Sequence, residues 1–159
     1  MSLELMNDTQ KILNEVREIS GKEVVFRENN SLRTYAIAKT ARSGMKNHII
    51  YYKPVHSGIL NYIIAHECGH MIRIYKETKE RLKLNSDNES MEKALYMVDK
   101  NCKVKYSDDI KRKIFPMWVN GIITQLTSIP EDIRIEKWIY GNFPEIREMQ
   151  KSALERQSK

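Results

Sequence analysis

The sequence predicts an α+β fold: one N-terminal helix, a small three-stranded sheet, a histidine-bearing helix, and then a mainly helical C-terminal half. Three observations carry this. Apolar residues recur at helical spacing near the N-terminus. Three short runs rich in β-branched and aromatic residues follow between residues 23 and 53, each bounded by turn-forming residues. Beyond residue 57 the apolar pattern returns to a helical period.

Leu5, Ile12, Leu13, Val16 and Ile19 predict a helix over residues 3–19, stopped by Gly21. Val24, Val25 and Phe26 mark a first strand over 23–28, and Asn29-Asn30-Ser31 reads as a turn. The second strand is expected over 33–39, with Tyr35 and Ile37 on one face, before Ser43-Gly44 breaks the chain. His48 to Lys53 is the third, ended by Pro54. Ser57 is placed to cap a helix from about Gly58 to Tyr75. The first half of that helix is apolar almost all round, so it is expected to be buried on most sides.

Residues 85–89 are polar and read as a loop, followed by a helix over 90–101 carrying Met91, Leu95 and Val98. Ser107-Asp108-Asp109 resembles a helix start, and the run to Leu126 is mostly apolar. Pro116 predicts a kink or break within it, and Pro130 a stop. A short helix over 131–140, ended by Gly141, and a last amphipathic helix opened by Pro144 complete the chain.

The 159 residues suffice for a single domain, 1–159, with a real core. Hydrophobic content of 41% and charged content of 30% fit a globular protein. No apolar run reaches the roughly 18 residues of a membrane span, and residues 1–20 lack a signal-peptide core. A cytoplasmic location without a membrane partner is the expectation. Cys68 and Cys102 make no disulfide framework and are expected as free thiols. The formal charge is +6, but most basic residues sit among acids, as in Lys76-Glu77-Thr78-Lys79-Glu80-Arg81. That pattern suits a solvated helix face, and without a recognition motif nucleic acid is not the expected partner.

His66-Glu67-Cys68-Gly69-His70 is the segment that carries chemistry. On a helix, residues four apart share a face, so His66 and His70 can reach one ion, with zinc about 2.0–2.1 Å from each nitrogen. Glu67 is rotated by about 100° from His66, which sets its carboxylate beside the ion as a general base for a bound water. Buried histidines need partners, and a metal satisfies both together.

A catalytic zinc site needs a third protein ligand. His48 and His56 are the two other histidines, and both are read as core residues. The acids of Pro130-Glu131-Asp132-Ile133-Arg134-Ile135-Glu136 lie in an otherwise apolar neighbourhood. Asp132 and Glu136 are four apart and stack on one helical face, so one can bind metal while the other orients a histidine. Glu136 is the preferred third ligand, with Glu131 and Asp132 as alternatives. Ser128 to Glu131 also has the spacing of a capping box.

The His66–His70 motif followed by an acidic helix resembles the zincin metallopeptidases, and more narrowly the compact gluzincins or minigluzincins. The resemblance implies one zinc ion, peptide or protein substrates, and hydrolysis with Glu67 as base. It also implies that the strand His48–Lys53 is an edge strand bordering the cleft, where an extended peptide would pair. Tyr106, Tyr140, His48 and Arg134 are candidates for stabilising the oxyanion. Peptide deformylases share a similar motif, but their cysteine ligand precedes it and no cysteine lies before His66 here. A zincin-fold peptide-binding or regulatory module with little turnover is the alternative.

Overall fold

The computed structural model describes residues 3–76, 87–101 and 107–157. Its elements are α1 (Asn7–Ser20), β1 (Glu23–Glu28), β2 (Ala36–Lys39), β3 (Asn47–Tyr52), α2 (Leu60–Lys76), α3 (Asn88–Asn101), α4 (Asp108–Asn142) and α5 (Arg147–Gln157). The predicted order of helix, small sheet, histidine helix and later helices is therefore observed, and the fold is α+β. The sequence expectations for Cys102, Tyr106 and the Lys76–Arg81 charge run fall wholly or mostly outside the described residues.

The chain divides into two compact units, one of Met1–Glu80 with Ile133–Lys159, the other of Arg81–Asp132. In the first, the sheet has the order β1-β3-β2, with β1 parallel and β2 antiparallel to β3. His48, Ile50 and Tyr52 alternate inward along β3, the period of two that a half-buried strand imposes. They meet a core built from Ile12 and Val16 of α1, Ile63, Ile64 and Met71 of α2, Ile135 and Ile139 of α4, and Ile146.

Gly21 ends α1 in the left-handed region at φ 67°, where its amide donates to the Arg17 carbonyl, as the sequence predicts. Two expectations about strands and caps are corrected. β3 is the middle strand, because β1 and β2 flank it, so the edge next to the histidine helix belongs to β2 and not to His48–Lys53. Ser57 does not cap α2 either: a 3₁₀ turn over Pro54–Ile59 leads straight into the helix.

In the second unit, α3 buries no residue fully. Leu95, Val98, Ile110, Ile114, Phe115 and Trp118 line a cavity of about 100 Å³. The break expected at Pro116 and the stop at Pro130 are absent, since α4 runs unbroken through both. A helical proline frees the carbonyl four residues earlier. Those residues are Arg112 and Leu126, both exposed, so water can serve the freed groups. With no helix start at residue 131, Ser128 and Glu131 lie mid-helix and form no capping box. Among the described residues no helix is long and apolar enough to cross a membrane.

Candidate metal centre

The site starts from one turn of α2 whose apolar flanks are buried, Ile63, Ile64 and Ala65 before it and Met71 and Ile72 after. Anchored on both sides, the helix has little freedom to rotate its histidines away. His66 and His70 project from the same face as expected, and their Nε2 atoms stand 3.2 Å apart. Two nitrogens held by one tetrahedral zinc at about 2.0–2.1 Å lie about 3.3 Å from each other. Two neutral imidazoles cannot both point lone pairs at that separation without an intervening proton or cation. The pair thus fits a metal.

The second feature is a brace behind His66. Its Nδ1 donates to Glu136 Oε1 at 2.7 Å, which fixes the tautomer and leaves Nε2 with its lone pair. Glu136 is itself held on three sides. Tyr62 donates its hydroxyl to Oε1 at 2.6 Å, and the Gln150 amide donates to Oε2. The same amide donates to the Glu136 main-chain carbonyl at 2.9 Å, tying α5 to this turn of α4. Burial pushes the Glu136 carboxyl up, but the hydrogen bonds from His66, Tyr62 and Gln150 outweigh it and hold the group below the usual carboxylate range.

Close approach of α4 to α2 depends on Gly69. A Cβ there would lie 2.7 Å from Ile135 Cγ2, so only glycine lets the two helices meet at this depth. Ile135 is the neighbour of Glu136, so the same approach brings the carboxylate to His66.

His66 and His70, both half-buried, are the ligand pair within the first unit, while Glu131 and Asp132 belong to the second. Asp132 sits one turn before Glu136 on α4. Glu136 is bonded to the outward nitrogen of His66. Glu67 has its Oε2 on the Ala38 amide of β2 at 2.9 Å.

The other histidines serve the fold. His48 is fully buried; its Nδ1 accepts from the Ala41 amide and its Nε2 meets Ser20 Oγ, both at 3.0 Å. Burial, with Lys22 nearby, pushes it down towards the neutral form. His56 packs edge-on against Tyr35. Of the oxyanion candidates, Tyr140 lies exposed under the Arg147 guanidinium, 5.1 Å from its ring, and Arg134 is exposed.

Two braces lie outside the sequence expectations. Tyr62 had a signal, because 62, 66 and 70 form a ladder with a step of four. Gln150 falls at 146, 149, 150, 153, the buried stripe of the last segment, and a polar residue there was the available signal. No protein-family model, curated protein or solved structure matches the chain.

Proposed function

We propose that the chain is a zinc-dependent metallopeptidase of the zincin kind, with peptides or proteins as substrates. The observation that carries this reading is the convergence of the His66 and His70 Nε2 atoms at 3.2 Å, with the far nitrogen of His66 held by a carboxylate. A chance pair of surface histidines has no reason to be braced in this way. Glu136 is the carboxylate that orients His66 in this reading, and an acid of the 131–136 segment completes the ligand set.

Zinc, when bound, polarises the scissile carbonyl and lowers the pKa of a coordinated water towards about 7. The chain's own residues do the rest. Tyr62, Glu136 and Gln150 keep His66 in one tautomer and one rotamer. Glu67 accepts a proton as the water oxygen bonds to the carbonyl carbon. It then passes that proton to the amine as the C–N bond breaks. The carboxylate is regenerated and the hydrolysis is balanced.

The test joins metal analysis with a chelator-sensitive casein or peptide assay. About one zinc per chain is expected, with turnover lost on chelation and restored by zinc. Glu67→Gln should keep the zinc and lose turnover by several orders of magnitude. Full activity in that variant removes the mechanism. Zinc binding with no turnover in the unaltered protein would instead favour a peptide-binding module.

A further inference from the structure

We propose that the backbone amide of Ala38, on the open edge of β2, is a positioning group for Glu67. This rests on the peptidase reading above and adds to it a part of the machinery that no side chain supplies.

The argument starts from the register of the sheet. β2 and β3 are antiparallel, with Ile37 opposite Tyr51 and Ala38 opposite Ile50. In such a ladder, residues alternate between pairs that exchange hydrogen bonds and pairs that do not. The Lys53 amide donates to the Tyr35 carbonyl, which assigns the pairs at 35, 37 and 39 to the bonded set. Ala36 and Ala38 are then the non-bonded set, and their N–H and C=O groups point away from β3, off the edge of the sheet. This edge runs beside α2, and the Ala38 amide meets Glu67 Oε2 at 2.9 Å.

A main-chain amide in a paired strand has no rotamers, so it fixes its acceptor more tightly than a flexible side chain would. Holding Oε2 fixes the plane of the carboxylate, and with it the direction of Oε1. A general base must sit within hydrogen-bond reach of the proton it takes, and small displacements cost rate steeply. The strand therefore sets where the base stands, while α2 sets where the histidines stand. The small side chains of Ala36 and Ala38 suit this approach. On the same edge, the Ala36 carbonyl accepts from Thr34 Oγ1 at 2.8 Å, so a second outward group is also taken by the chain itself. A peptide added to this edge would find the Ala38 amide already engaged.

Ala38→Pro removes the amide hydrogen at a position where no ladder bond is lost, a placement that edge strands accept. With zinc content retained, kcat should fall about 10- to 100-fold and KM stay within about twofold. An unchanged kcat overturns the proposal. So does a raised KM at unchanged kcat, which would give the amide to substrate docking. Because proline could disturb the strand, amide hydrogen exchange on the full chain supplies a second measurement. The Ala38 amide should exchange at least about tenfold faster in Glu67→Ala than in the unaltered protein, and equal rates would overturn the proposal. This readout needs no turnover. If the unaltered protein cleaves nothing, the peptidase reading fails by itself and the exchange rates still decide whether Glu67 is tethered.

Discussion

One carboxylate meets the histidine pair, and the nitrogen it reaches sets its task. Glu136 meets Nδ1 of His66, the nitrogen that points away from His70, at 2.7 Å. It acts there as a brace, because Nε2 is the nitrogen that faces His70. Glu136→Gln should lower zinc affinity about 10- to 100-fold with the fold intact. Competition against a chromophoric chelator measures it, and a loss of roughly several thousand-fold would make Glu136 a ligand instead. The sequence made His66 and His70 legible because a step of four on a helix leaves little choice. It placed Asp132 and Glu136 on one face for the same reason. Helical spacing says nothing about which ring nitrogen a carboxylate from another helix will meet, so the division of roles was not readable.

The second middle residue of the motif has a structural task at the level of elements. Gly69 is where α2 and α4 touch, and an added methyl would fall 2.7 Å from Ile135 Cγ2. The Ile135 side chain is fully buried. Gly69→Ala should therefore destabilise the protein by about 1–3 kcal/mol through overpacking, despite alanine's better helix propensity. It should also weaken zinc binding, because the strain is relieved by moving the turn that carries Glu136. Thermal unfolding and zinc titration of the variant check the two effects, and a stabilised variant would show that the helices have slack. Cys68 beside it is fully buried, and burial pushes its thiol far up, which fits a packing role rather than a nucleophile. Most elements were legible because their apolar periods are strong, as in Val24-Val25-Phe26 or Ile12 and Val16. The failures have separate causes. Pro116 and Pro130 look like punctuation, yet the carbonyls they free lie on exposed turns of α4. The edge assignment of β3 failed because strand order depends on a parallel crossover from β1, which no local pattern encodes.

At the scale of the whole molecule, the first compact unit is closed by a contact spanning almost the full sequence. The Asp8 amide donates to Glu145 Oε2 and the Glu145 amide donates to Asp8 Oδ2, each at 3.0 Å, across 137 positions. Lys11 adds a third bond to Asp8 Oδ1 at 2.8 Å. The clamp fixes the start of the last segment on α1, and that segment carries Gln150 to Glu136. Asp8 is nearly inaccessible, at 2% exposure. Burial pushes its carboxyl up, but Lys11 and the Glu145 amide outweigh this and hold it below the usual aspartate value. The unfolded chain therefore binds the proton more readily, and stability rises with pH through the interval between the folded and unfolded values. The contribution is fully present above the ordinary aspartate range and disappears as pH falls through the lower, folded value. Asp8→Ala should cost about 1–3 kcal/mol at neutral pH, since it leaves the Glu145 amide without its acceptor. The difference from the unaltered protein should shrink steadily below about pH 4, where the Asp8 carboxyl of the unfolded chain takes up its proton first. Urea unfolding at a series of pH values measures it. A gap between the two proteins that stayed constant down to pH 2 would mean that the clamp acts through packing alone and not through the ionised carboxylate.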